Sequence, residues 1–439
     1  MVIAELAKLT LIFALPLALL IIIYRFGAEA ELYRKFPVQI HLAPKISQIG
    51  LRIKSEIMRR SSLCLFLKIT LLVVVTRIAL FLIGYMAIVM FREESRSFLG
   101  TMEWIWNKWD AAHLLNIAEH GYTAEGEMKF FIVFFPFYPL MVRLFSLFTR
   151  NYVWAGFLVS HLSLIISCYY LFKLVKMDQD EKAAWRGVKF LLVFPQSFFL
   201  NIVYTDSLFL ATSILCFYYL RKQKWLWAGF YGCLASLTRN FGILLLLPAL
   251  MEYVKERRVI QKLRTKEFKV LIREFFSEKG YGILLIAIGL SIYLVINKVV
   301  AGDWFAFLKY QSEHWHNNFG FFGENIKNYV QNSFSWKPSQ RLTLWIPEVL
   351  GIFLVTGLIF YSFGKLRLSY IAYMLVYIFV CVSSTWLISG FRYIVSLFPM
   401  YLLLASALRN KITDALFTYT SILMLGFYTV AFVLDFYVM

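Results

Sequence analysis

Apolar runs long enough to cross a bilayer recur from one end of the sequence to the other. About 18 or more apolar residues span the roughly 30 Å hydrocarbon core. A chain in lipid must satisfy its backbone polar groups internally, which here favours helices. Candidate spans are 3–24, 63–91, 152–172, 185–202, 204–220, 281–299, 342–363, 367–388, 393–408 and 413–437. With two less regular stretches at 131–149 and 226–250, the sequence predicts an all-α polytopic membrane protein of 11–13 transmembrane helices. Of the 439 residues 60% are hydrophobic and only 16% charged, which leaves no room for a separate soluble domain. The predicted organisation is an N-terminal helix and basic cytoplasmic loop over 1–62, then one membrane domain over 63–439. The run 3–24 has no small-residue cleavage site after it, so a retained helix is expected rather than a signal peptide.

Charge sets the orientation. The net charge of +19 is spread over loops, where Lys and Arg mark the cytoplasmic side. Segment 25–62 carries 8 Lys/Arg against 3 Asp/Glu, and 251–280 carries 9 against 5, so both belong inside. Segment 92–130 carries 4 against 7 and belongs outside. Such a distribution fits anionic lipid headgroups as partners, not nucleic acid. Two long external loops result, 92–130 and 300–341. They hold His113, His120, His314 and His316 and six tryptophans. An interfacial aromatic belt accounts for most of the tryptophans, but not for the histidines and acids among them.

The stretch 226–250 has inside-type loops at both ends and a polar break, SLTRNFG, at 236–242. It reads as two short helices in a hairpin with Arg239 near the tip. Pro136 and Pro139 make 131–149 a re-entrant or interface-lying element.

The string WNKWDAAHLLNIAEHGY at 106–122 is the most informative. A helix from Asp110 places an acid in its first turn, where negative charge is favoured. His113, Asn116 and Glu119 follow at steps of three, opposite Leu114, Leu115 and Ala118. An amphipathic helix lying on the membrane surface would show this pattern, and so would one wall of a cleft lined by Asp110 and His113. Asp206 lies between two apolar runs at the same side as Asp110. A helix cap is one reading of it, an intramembrane functional acid another. Arg239 and Arg392 are costly in lipid, and arginine suits bidentate binding of phosphate. For Arg392, snorkelling to headgroups stays open. The acids and histidines match no standard zinc spacing, so no tightly bound metal or other cofactor is predicted, although a divalent ion is chemically possible. The cysteines form no CxxC pair. Nothing resembles a P-loop, a dinucleotide fingerprint or a hydrolase elbow, so a soluble nucleotide-sugar donor has no visible site.

WDAAHLLNIAEHGY (109–122), FFPFYPL (134–140), FPQSFFLNIVYTDSLFL (194–210), GCLASLTRNFGILLLLPAL (232–250) and SGFRYIVSLFPMYLLLA (389–405) together resemble the PIG-V-type family of the second GPI mannosyltransferase. The matches run in order over about 90–405; residues 1–60 have no counterpart. The resemblance implies a GT-C fold, a polyprenyl- or dolichyl-phosphate-mannose donor and inverting transfer to a lipid-linked or glycolipid acceptor. It carries the family's loop aspartate onto Asp110 and its histidine onto His113. The family often has glutamate where this chain has the shorter Asp206. Asp110, His113 and Asp206 form the predicted catalytic group, with Arg239 and Arg392 on the donor. Trp109, Asn116, Glu119 and His120 are expected near the substrates, as are Tyr122 and Tyr204. The compact chain resembles a prokaryotic relative, which implies the cell membrane; a eukaryotic one would occupy the endoplasmic reticulum. A transferase of another lipid-linked sugar and a transporter or flippase remain as alternatives. A transporter would favour mid-membrane acids and repeat symmetry, whereas here the polar residues gather at one face and no repeat is visible.

Overall fold

The structure is a computed structural model that describes residues 47–92 and 97–438. The expected span 3–24 and the basic segment as far as residue 46 lie outside the described residues. The chain divides into two units, residues 1–95 and 96–439.

In the first unit α1 (Ser47–Phe91) is one helix of 45 residues, whose apolar part is Ser62–Phe91. Helical backbone thus begins well before the apolar run at 63.

The second unit is also helical. Its first half holds α2 (Phe98–Trp106), α3 (Asp110–His120), α4 (Phe137–Thr149), α5 (Tyr152–Val175), α6 (Glu181–Val193), α7 (Asp206–Arg221), α8 (Trp225–Thr238) and α9 (Leu246–Glu256). Then come α10 (Val259–Arg264), α11 (Phe268–Ser277), α12 (Leu285–Ala301), α13 (Ala306–Trp315), α14 (Phe322–Ser335) and α15 (Ile346–Ser362). The chain closes with α16 (Leu368–Val382), α17 (Gly390–Val395), α18 (Pro399–Ala407) and α19 (Lys411–Val433). No strand occurs among the described residues.

Five described helices are long and apolar enough to cross a membrane: Ser62–Phe91, Tyr152–Val175, Gly280–Ala301, Pro338–Ser362 and Lys411–Val433. The short helix Glu127–Val133 and α4 make a sixth only if counted as one span, and they are bent by 108°. Such a bend suits either a broken span or the re-entrant element expected of 131–149. The sequence predicts 11–13 spans because it contains more apolar runs than straight helices. Run 185–202 is one correction: α6 stops at Val193, Pro195 follows, and a 3-10 turn covers Ser197–Leu200. Run 393–408 is another, because α17 ends at Val395 and α18 restarts at Pro399. Proline lacks the N–H a continuing helix needs. Part of the remaining apolarity is interior packing. Nearly all of α7 is buried, as expected for a helix that is hydrophobic all round and held between α5 and α8.

Three joints in this packed layer carry charge. The first is the turn before α7. Ser160 on α5 donates to the Ile202 carbonyl at 2.7 Å, and the Tyr138 hydroxyl on α4 stands 2.8 Å from Ser160 Oγ. Asp206 is therefore presented by a turn pinned from two helices. The second is the predicted hairpin: α8 ends at Thr238, Arg239 is extended, and a 3-10 turn over Asn240–Leu245 leads into α9. α9 returns to the start of α8, where Gln223 donates to Glu256 at 3.1 Å. The third is α17, which carries Arg392.

The hairpin tip is tight. A Cβ at Gly242 would stand 2.2 Å from the Ser236 backbone nitrogen. Gly242→Ala is expected to cost about 1–3 kcal/mol by overpacking. A fall in the melting temperature of the purified protein would show it, and an unchanged one would mean that the tip is looser than described.

Candidate active site

The site grows from the start of α3. Trp109 has φ +54°, a left-handed conformation that costs a non-glycine residue energy. The neighbouring contacts hold it. Tyr204 donates from its hydroxyl to the Lys108 carbonyl at 3.1 Å. The Lys108 ammonium donates to the Val433 carbonyl at 2.7 Å and to Asp435 at 2.5 Å. Asp110 then opens the helix, as predicted, with its carboxylate in the favourable first turn. Leu114, Leu115 and Ala118 are buried beneath it, and Gly121, at φ +83°, ends it.

Asp110 meets Arg392, whose Nη1 donates to Asp110 Oδ2 at 2.7 Å. The other edge of the same guanidinium holds Asp206, with Nε at 3.0 Å and Nη2 at 2.9 Å from Oδ2. Arg239 donates from Nη1 to Asp206 Oδ1 at 2.5 Å. Four residues distant in sequence thus form one alternating chain, Asp110–Arg392–Asp206–Arg239. Formally its charges cancel. Asp206 is 0% exposed, whereas a third of the Asp110 side chain (33%) remains accessible.

Aromatic rings replace the water the arginines have lost. Arg392 lies 4.2 Å from the Tyr204 ring centre, and Arg239 lies 4.5 Å from that of Tyr393. Cation–π contacts of this kind gain strength on desolvation. The snorkelling alternative for Arg392 does not describe this arrangement, because the residue is buried and held by two carboxylates.

His113 is near Asp110 but faces aromatic rings, with the Phe131 and Phe134 centres at 4.4 and 5.4 Å. Burial holds its imidazole below the ordinary pKa; the Asp110 charge opposes this and His314 adds to it. His314 stacks on Phe130 at 4.4 Å, and Trp315 packs edge-on against Phe134. The two loops predicted to be long and external therefore meet beside Asp110.

The remaining predicted residues stand differently. Trp109 packs against Tyr437 at 5.7 Å and shapes the backbone before Asp110. Tyr122 donates its hydroxyl to the Phe134 carbonyl at 2.5 Å and ties the loop to α3. Glu119 and His120 are exposed. No hydrogen bond or ion pair joins Asn116, Glu119 or His120 to the charged chain among the described residues. Among those residues no group of three or more His, Cys, Asp or Glu side chains is placed to hold a metal ion.

One residue escapes the sequence reading. Glu348 on α15 is buried and accepts the Phe391 backbone N–H at 2.7 Å, immediately before Arg392. Its signal was an acid inside the apolar run 342–363, a costly placement that marks function or positioning. A Cβ at Gly390 would stand 2.4 Å from Glu348 Oε2, so a side chain there would push the carboxylate aside.

Part of the chain is similar to known proteins. Residues 135–272 match the family model of dolichyl-phosphate-mannose-protein mannosyltransferases. GPI mannosyltransferase 2 of Schizosaccharomyces pombe is 29% identical over 143 residues, 31% of this chain and 30% of that protein. The match spans about a third of the relative's length, so its activity as a whole is not carried across by it.

Two outcomes are expected. Arg392→Gln leaves both carboxylates short of a counter-charge and costs about 3–5 kcal/mol. Chemical unfolding in mild detergent measures this, and a loss below about 1 kcal/mol would mean the chain of charges is weakly coupled. A histidine with a lowered pKa disfavours the fold as falling pH charges it. His113 thus costs nothing above its ordinary value near about 6.5 and destabilises progressively below it. Melting temperatures from about pH 7.5 to pH 5 should fall more steeply for wild type than for His113→Gln. Parallel curves would remove His113 from the account.

Proposed function

We propose that this chain, a GT-C-type membrane mannosyltransferase of PIG-V kind on the support of those two matches, transfers mannose from a polyprenyl- or dolichyl-phosphate-mannose donor to a hydroxyl of a lipid-linked or glycolipid acceptor. The transfer is inverting and occurs on the non-cytoplasmic face. A mannosyltransferase family of this type implies, in general terms, a lipid-linked sugar donor and a glycolipid acceptor. The observation that carries the reading is Asp110, a partly accessible carboxylate held at 2.7 Å by a buried arginine at the meeting point of two loops.

The chemistry is a single displacement. The acceptor oxygen attacks the anomeric carbon, the bond from that carbon to the phosphate oxygen breaks, and the bonding electrons leave with the lipid phosphate. Asp110 takes the acceptor proton as general base. An ordinary carboxylate is a weak base, so its contribution lies in positioning, which Arg392 supplies. Arg392 already spends Nε, Nη1 and Nη2 on Asp110 and Asp206. Arg239 spends only Nη1, so its remaining N–H donors are the better partner for the leaving phosphate. Asp206 is too buried to meet substrate and acts by holding both arginines. His113 and its aromatic surround flank the acceptor side.

The test is transfer of labelled mannose from a short-chain polyprenyl-phosphate mannose to extracted lipid acceptors. Wild type should transfer; Asp110→Asn, eluting as the wild type does on size exclusion, should lose about 100-fold or more, the scale of a positioned general base. If the variant keeps full activity, Asp110 is not the base. If wild type fails with this donor but transfers another lipid-linked sugar, the sugar assignment is wrong.

A further inference from the structure

The ends of the bundle carry charge in two different ways. At the Asp206 end every arginine of the site faces a carboxylate. α7 runs from Asp206 to Arg221, about 24 Å at 1.5 Å per residue. At its far end, beside the return of α9, lies a groove of about 750 Å³ with basic walls. Lys255, Arg258 and Arg264 line it, with Gln261 and the buried Ser369 hydroxyl.

The acid in this groove is already committed. Glu252 is buried, accepts from Arg367 Nη1 at 3.0 Å and accepts the Ser369 hydroxyl as well. Glu256, on the same helix, takes the same Arg367 Nη1 at 3.0 Å and the Gln223 amide. By contrast Lys255, Arg258 and Arg264 form no ion pair or side-chain hydrogen bond among the described residues. Three exposed cations therefore line the groove without a partner among the described residues.

Next to the groove α11 presents an apolar surface to the outside. None of its residues is buried, and Phe268, Ile272 and Phe276 are 53, 61 and 63% exposed. Lys269 and Arg273 share this helix. A short amphipathic helix with exposed aromatic and aliphatic residues lies in the plane of the membrane interface. Basic side chains at that depth meet lipid headgroups.

We infer that this groove is a binding site for the headgroup phosphate of an anionic phospholipid, on the membrane face opposite the Asp110–Asp206 site. Lys255, Arg258 and Arg264 hold the phosphate, and α11 lies alongside the acyl chains. A diester phosphate bearing two acyl chains satisfies both halves of the surface; inorganic phosphate satisfies only the first.

The full chain, purified in neutral detergent, is titrated with phosphatidylglycerol or phosphatidylcholine, and bound lipid is counted by native mass spectrometry. One phosphatidylglycerol should persist where phosphatidylcholine does not. The triple variant Lys255→Gln, Arg258→Gln, Arg264→Gln should bind it about 100-fold more weakly, at roughly fivefold per basic residue. The exposed lysines Lys182, Lys222 and Lys224 serve as the control when changed together to Gln. Equal loss in the control would reduce the effect to general surface charge and overturn the site. Displacement of the lipid by millimolar inorganic phosphate would assign the groove to the free ion instead. A photoactivatable phosphatidylglycerol on wild type gives an answer independent of variant folding: labelling within 251–277 is expected, and labelling confined to other segments would refute the site.

Discussion

The alternation Asp110–Arg392–Asp206–Arg239 is the constraint to which the rest of the second unit answers. A buried ion pair repays its desolvation only when each member is matched and geometrically well held. Here two carboxylates and two guanidinium groups cancel, so no member can be lost without stranding a charge. Each member arrives on a different element: α3, α17, α7 and the α8–α9 hairpin. The network therefore fixes four joints at once, and it depends on all of them being right. Lysine would not serve at Arg392. A single ammonium lacks the rigid fork that reaches two carboxylates in different directions.

Local supports converge on those joints. Glu348 holds the backbone beside Arg392, the Ser160–Ile202 contact holds the turn beside Asp206, and Gly242 permits the close approach beside Arg239. The strained φ of Trp109 belongs to the same set, because it turns the chain into α3 with Asp110 already at the first helical residue. Strain of this kind, about 1–3 kcal/mol, persists only where surrounding contacts over-determine it. The Lys108 and Tyr204 bonds supply them.

Much of this was legible in the sequence, for identifiable reasons. α3 began at Asp110 because the acid and the apolar positions at helical spacing agreed. The hairpin at 226–250 was readable because an arginine and an asparagine interrupt an otherwise apolar run between two basic loops. Asp206, Arg239 and Arg392 were found by the cost of their placement, and Asp110 by its place at a helix start. Their connection was not, since nothing in a one-dimensional pattern says that Arg392 faces both Asp110 and Asp206, or that Asp206 is fully buried while Asp110 stays partly accessible. Although Asp206 is shorter than the glutamate common in the resembled family, the pinned turn brings it to both arginines. Helix breaks inside the apolar runs were hidden for a related reason. Hydropathy reports burial, and burial inside a protein layer is indistinguishable in sequence from burial in lipid until Pro195 or Pro399 breaks the helix.

A network whose charges cancel raises the question of how it would receive a donor that carries phosphate. The overall +19 offers no answer, because much of that excess lies in loops such as 25–62 and 251–280, away from the site. Nor can Asp206 easily yield its place. It has no exposure, and moving it would leave Arg239 without a carboxylate and Arg392 with Asp110 alone. On the proposed reading the phosphate must add to the chain of charges instead of replacing a member. Arg239 has donors left for that addition, and Arg392 has spent its own on two carboxylates. The aromatic faces around Arg239, from Tyr393 at 4.5 Å to Phe209 and Phe241 at 5.8 Å, keep the local dielectric low. In such surroundings one charge-assisted hydrogen bond to a departing phosphate is worth far more than it would be in water. Asp206 then has a second use beyond structure. By taking one edge of Arg392 and Nη1 of Arg239 it aims the remaining donors, so that on this reading both arginines are oriented by a single buried carboxylate.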